Sequence, residues 1–220
     1  VVERGDDLTL YLSLVDARNG NQIWGEQYDR RLTDLVSLQS DIARDVSQKL
    51  RMRLSSADEE TMAKNYTANV EAYQLYLKGR YHVFKVTPPE VQKGISFFQQ
   101  AIAIDPAYAL AYVGLAQAYR TLSLSFDMPA TEGTLKAKAA AQKAIELDDT
   151  LSEAHAVLGF SIFWYDWDFN AAENECKRAL ELNPNSSDAH WAYGHLLSNV
   201  GRHAEALAEI KRARELDPLS

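Results

Sequence analysis

The sequence predicts a mainly α fold, an array of about four stacked helical hairpins preceded by a β-hairpin and one helix left over from an α/β domain. Three observations carry that expectation. Tight endings recur at Ile104-Asp105-Pro106, Leu147-Asp148-Asp149, Leu182-Asn183-Pro184 and Leu216-Asp217-Pro218, in steps of 43, 35 and 34 residues. The first three each follow a run of the type A-[IL]-x-[LI], and proline cannot continue a helix. Before each ending lie two amphipathic stretches joined by a turn, as at Val200-Gly201-Arg202. Upstream of residue 34 the apolar period is two rather than 3.6.

Residues Leu8 to Ala17 alternate, with Leu8, Leu10, Leu12 and Leu14 on one face. Asn19-Gly20 then gives the strongest short-range hairpin signal. Gln22 to Arg30 alternates again, with Trp24, Glu26 and Tyr28 together. The expectation is an antiparallel hairpin over 8–30. From Asp34 the period lengthens, and Leu35, Leu38, Ile42, Val46, Leu50 and Leu54 form one helical stripe over 34–54. Asp58-Glu59-Glu60 opens a connector helix towards Tyr66. A hairpin and a helix cannot stabilise themselves in water. The expected organisation is thus a partial α/β segment at 1–57, a connector at 58–69 and an array at 70–220, divided near 70–106, 107–149, 150–184 and 185–218. The chain opens without methionine, on VVERGDDLTL, and reads as a piece of something longer.

A period near 34 built of helix–turn–helix units resembles the tetratricopeptide repeat. The last unit matches that family's pattern at Tyr193, Gly194, Leu197, Ala206, Ala213 and Pro218, with His190 where tryptophan is usual. The third unit matches at Leu158, Gly159, Ile162, Ala172, Ala179 and Pro184, with one residue inserted at the Trp167-Asp168 turn. The second matches at Tyr112, Leu115, Ala116, Tyr119, Ala137 and Ala144, with about nine extra residues in its loop near 123–131. The first fits through Phe98, Ala101 and Pro106, while its opening helix aligns in two registers. The resemblance implies a right-handed stack in which each hairpin buries its apolar faces only against its neighbours. The segment LVDARNGNQIWGEQYDRRLTDLVSLQSDIARDV resembles the end of TolB-like or FlgO-like domains, which precede repeat arrays in bacterial signalling proteins.

In the resembled fold the first helix of each repeat lines a concave groove. Its second, fifth, ninth, twelfth and thirteenth places hold Leu110, Val113, Gln117, Arg120 and Thr121 in the second repeat, Glu153, Ala156, Phe160, Phe163 and Trp164 in the third, and Asp188, Trp191, His195, Ser198 and Asn199 in the last. Of these the candidate binding residues are Val113, Gln117, Arg120, Ala156, Phe160, Phe163, Trp164, Trp191, His195 and Asn199. Some family members clamp a carboxylate tail with lysine and asparagine at the fifth and ninth places. Here those places hold Val113, Ala156, Trp191, Gln117, Phe160 and His195, so the clamp is absent. The predicted groove is aromatic, with Arg120 and His195 as polar handles. Exposed aromatics in a concave surface are binding anchors, and the alternative is that some of these rings pack against the next repeat.

Composition narrows the function. A net charge of −8 with 46% hydrophobic and 25% charged residues is that of a globular chain. Neither 1–66, with 9 basic and 12 acidic residues, nor 67–220, with 14 and 19, offers a phosphate-binding footprint, so no nucleic-acid partner is expected. No apolar run approaches the roughly 20 residues of a membrane span, and a soluble, cytoplasmic chain is expected. No H-E-x-x-H, G-x-S-x-G, Walker or G-x-G-x-x-G pattern occurs, so catalysis, cofactor and metal are not expected. The five histidines read as polar surface or groove residues, and the single cysteine, Cys176, as a buried packing residue. The sequence points to a scaffold that binds a protein or peptide partner, or to a dimerisation module using the hairpin edge or the last repeat.

Overall fold

The computed structural model describes residues 2–4, 7–15, 21–31, 34, 37–38, 41–42, 45–46, 67–125 and 127–218. They fall into two compact units, Val1–Tyr73 and Gln74–Ser220.

The first unit holds an antiparallel sheet of three strands, β1 (Val2–Arg4), β2 (Asp7–Val15) and β3 (Gln22–Arg31), in that order. The hairpin is present, with Asp7 opposite Arg31 and Leu14 opposite Trp24 before the register shifts at Val15. The sequence pattern misses β1, which pairs Val2 with Thr9 and makes β2 an inner strand. Three residues are too few for a period-two pattern to register. Thr9 Oγ1 donates to Asp29 Oδ1 at 2.7 Å across the pair. Residues 37–38, 41–42 and 45–46 are helical, as the stripe from Asp34 requires. Leu38 is buried, and the Tyr28 hydroxyl donates to Asp45 at 3.0 Å. The Asn19-Gly20 turn, residues 47–54 and the connector helix towards Tyr66 lie outside the described residues.

The array comprises helices α1 (Val70–Val83), α2 (Pro88–Ile104), α3 (Ala109–Leu124), α4 (Ala130–Leu147), α5 (Ser152–Ser161), α6 (Phe169–Leu182), α7 (Ser187–Asn199) and α8 (His203–Leu216). They stack as consecutive antiparallel pairs. Each second helix stops in the same way. Asp105, Asp148, Asn183 and Asp217 leave the helix, and their N–H groups donate to the carbonyls of Ala101, Ala144, Ala179 and Ala213. The side chains of Asp105, Asp148 and Asn183 then accept from the N–H two residues on, forming the turn into the next pair. The recurrent Asp/Asn-Pro ending is thus a terminator and a turn in one.

Close approach within each pair fixes the register. A Cβ at Gly79, Gly159 or Gly194 would fall within 3 Å of Phe98, Cys176 or Ile210 respectively, each the eighth residue before its repeat's closing proline. Gly79 is therefore the counterpart of Gly159 and Gly194, which decides between the two alignments of the first unit.

Two insertions sit elsewhere than expected. In the second unit most of the extra residues extend the helices, with α3 reaching Leu124 and α4 beginning at Ala130. Added helical turns satisfy their own backbone, which a long loop would not. In the third unit the extra residue is not in the Trp167-Asp168 turn. A π-helical turn, Ile162–Asp166, absorbs it at the end of α5 and ends at Trp167, whose φ is +59°. A π-turn accommodates one extra residue without breaking the helix, which keeps both Phe160 and Phe163 in the core.

Candidate functional site: an aromatic ladder

The rings of α5 and α7 meet. Phe160 stacks on Trp191 at 5.1 Å between centroids and 25°, and on Trp164 at 5.7 Å and 14°. Phe163 meets Phe160 edge-on at 5.1 Å, and His195 tilts over Trp191 at 4.3 Å. Offset stacks of this kind stabilise beyond the area they bury. The ladder exists because Phe160 and Trp164 are one helical turn apart, as are Trp191 and His195, and because the small Ala156, Ala189 and Ala192, all fully buried in the same cluster, allow the first helices of the third and fourth repeats to approach.

From α3, Arg120 lies over Trp191 at 5.1 Å and over Phe160 at 5.9 Å. Its Nη2 donates to Asp188 Oδ1 at 2.6 Å, and Gln117 donates to the other oxygen at 3.3 Å. The pair is largely buried, with side chains 13% and 21% exposed. It spans from the second repeat to the fourth. Burial, and then the Arg120 charge, hold His195 below the ordinary imidazole pKa, so it is neutral near pH 7.

The structure divides the ten expected groove residues. Gln117, Arg120, Phe160, Phe163, Trp164, Trp191 and His195 come together in or beside the ladder. Val113, Ala156, Phe160 and Phe163 are buried, and so are unavailable to a partner as the molecule stands. The rings of Phe160 and Phe163 fill the space between neighbouring helices instead, which is the packing alternative. Trp164 is 43% exposed, Trp191 and His195 are half-buried, and Asn199 is exposed, its amide donating to the His195 carbonyl. Asp188, a second-place groove position of the last repeat, is not among the ten. Its signal in the sequence is an acid at the second place of the fourth repeat, opposite in charge to Arg120.

A second, repeated arrangement lies where the sequence suggests only polar surface. His155 and His190 occupy the same place in consecutive repeats. Each presents Nδ1 to a glutamate of the paired helix, Glu175 at 2.6 Å and Glu209 at 2.5 Å. Each presents Nε2 to a carbonyl of the preceding turn, Asp149 at 3.1 Å and Pro184 at 3.0 Å. Burial alone would lower the pKa of His155, but the bonds to Glu175 and the carbonyl outweigh it and raise it. Nearby, Arg202, Lys177 and Tyr193 converge on Glu173 and hold its carboxyl at about 2. Cys176 lies under Gly159, and burial pushes its thiol up to about 12, so it behaves as a small apolar residue.

This geometry is that of a tetratricopeptide-repeat solenoid, and residues 167–220 match the tetratricopeptide repeat family. A thermophilic tetratricopeptide-repeat protein of Thermus thermophilus superposes with a TM-score of 0.54 at 20% identity, over 86% of this chain and 89% of that one. The Sgt2 repeat domain of Aspergillus fumigatus gives 0.50 at 21%, over 63% and 84%. In sequence, a Rhizobium meliloti protein named as a putative adenylate cyclase is 31% identical over 152 residues, which are 69% of this chain and 26% of that protein. The transcriptional regulator HilA of Salmonella typhimurium is 28% identical over 150 residues, 68% of this chain and 27% of its own length. The chain thus spans about a quarter of the length of these relatives. No helix of the described residues is long and apolar enough to cross a membrane.

Proposed function

We propose that this chain is the protein-binding scaffold of a bacterial regulatory protein, taking a peptide or partner protein on its concave face and doing no chemistry itself. The observation that carries the reading is the ladder, a set of stacked rings whose outer member, Trp164, is left exposed on a helical-repeat fold. Two relatives named for different activities, a cyclase and a transcriptional regulator, each match about two thirds of this chain. A shared binding module would produce that pattern. In this reading the segment at 1–57 is a TolB-like or FlgO-like remnant, joined through 58–69 to the array at 70–220.

A genomic-fragment display library panned over the chain tests it. Binders are titrated by tryptophan fluorescence against wild type, Trp164→Ala and Trp191→Ala. The expected result is a loss on the order of tenfold in each variant. Equal affinity in all three would remove the groove from the proposal. Self-association is the second reading, on the ground that β3 pairs only with β2 among the described residues. A sedimentation coefficient that stays monomeric at rising concentration would end it.

A further inference from the structure

The partner's chemistry can be narrowed, on the footing of the groove reading above. We infer that the segment docking on the ladder is a short, uncharged, apolar stretch of polypeptide, held through its peptide groups by His195 and through a side chain on Trp164. The argument begins with charge. The cation of the ladder, Arg120, is neutralised by Asp188 at 2.6 Å, and Gln117 occupies the second carboxylate oxygen. Of the two other guanidinium nitrogens, Nη1 is buried and has no hydrogen-bond partner among the described residues. It lies beside the faces of Trp191 and Phe160, where solvent does not reach it. A carboxylate reaching for Nη1 would have to break the Asp188 pair or part the rings, and an incoming cation would meet Arg120. Neither sign of charge is complemented.

What is available is neutral. Neither ring nitrogen of His195 has a hydrogen-bond partner among the described residues, although the ring itself is fixed against Trp191 and edge-on to Phe160. A neutral imidazole offers one donor and one acceptor, and a peptide group offers the complementary acceptor and donor. Beside it the ladder ends in Trp164, which the π-turn holds stacked on Phe160 and which stays 43% exposed. An aliphatic, proline or aromatic side chain fits that exposed surface. The charged groups facing His195 are Arg120 from α3 and, through Arg120, Asp188 of its own helix; α5 contributes the Phe160 ring.

A random peptide library selected on the full chain tests the inference. Recovered peptides should be depleted in Asp, Glu, Lys and Arg. Their affinity should change less than about threefold between low and high salt, because screening acts on charge. Trp164→Ala should weaken them on the order of tenfold. As pH falls through the depressed titration of His195, wild type should lose affinity while His195→Gln, which keeps a donor and an acceptor without charging, should not. Charged peptides that depend on Trp164 and weaken steeply with salt would overturn this inference and leave the groove standing. Peptides indifferent to Trp164→Ala and His195→Ala would overturn both. A library no richer than one passed over bare support would overturn the scaffold reading, and this one with it.

Discussion

The third and fourth repeats are built on one template and differ in length by a single residue. In the fourth, α7 and α8 are joined by Val200-Gly201-Arg202, with Gly201 at φ +81° taking the left-handed position. In the third, the extra residue becomes the π-turn, and the left-handed position falls to Trp167. The packing side is almost unchanged. Gly159 covers Cys176 as Gly194 covers Ile210, and His155 engages Glu175 as His190 engages Glu209. The presenting side differs: Trp164, Tyr165 and Trp167 are exposed at 43%, 39% and 72% in the third repeat, while the fourth exposes Val200 at its turn. The extra residue is thus absorbed on the side where the exposed side chains differ and leaves the core contacts intact, and the comparison can be broken at several points.

The largest effect is expected at the paired glycines. A Cβ at Gly159 would lie 2.9 Å from Cys176 Sγ and 3.0 Å from the backbone carbonyl of Ala172. At Gly194 the two nearest contacts, both at 2.7 Å, are to the movable end of Ile210, and backbone begins only at 3.3 Å. Gly159→Val should therefore cost about 3 kcal/mol and Gly194→Val nearer 1 kcal/mol, the range of overpacking. Chemical denaturation of the full chain measures both. Equal losses would mean that the two interfaces are equally rigid and the template identical at this depth.

The histidine pairs come next. Removing His155 leaves Glu175 and a turn carbonyl without their donor, at about 2 kcal/mol, and His190→Ala should cost about 1 kcal/mol, its side chain being more exposed. The pH dependence separates charge from packing. The folded pKa of His155 is raised, so its charged form contributes stability that is complete below the unfolded value near 6.5 and is lost as pH rises through the folded value. The stability difference between wild type and His155→Gln should shrink as pH is raised across that window, with Glu175 and Arg178 the charged neighbours. A difference that grows with pH would assign the imidazole the opposite role.

The repeat endings, the small residues at the close approaches and the order of the hairpins were legible in the sequence, because each is a local requirement. A turn after Asp105 or Asn183 needs only residues within four positions. The location of the insertions was not legible. A helix can absorb residues by lengthening, as α3 and α4 do, or by a π-turn, and the choice depends on which rings must remain in the core. Nor was the Arg120–Asp188 pair legible, since it spans 68 residues and exists only once stacking has brought the second and fourth repeats together. Spacing alone puts the expected groove positions on the first helices of the repeats. It does not report depth, so Phe160 and Phe163 fit the groove pattern although their neighbours cover them.

The smallest effects should come from the turns, and they say most about why the third repeat differs. Gly201 has open space where a Cβ would go, so Gly201→Ala adds no clash and reports backbone strain alone, at about 1 kcal/mol. Trp167 already bears that strain. Replacing it with glycine relieves the left-handed cost but frees the unfolded chain and removes the edge contact to Phe169 at 6.3 Å. These contributions oppose one another, and Trp167→Gly should leave stability within about 0.5 kcal/mol. A near-neutral result, set against loss of binding by Trp164→Ala, would separate the ring that completes the ladder from the one that merely follows the π-turn. A strong stabilisation would instead mark Trp167 as retained against its own strain, and hence as a contact residue of the same surface.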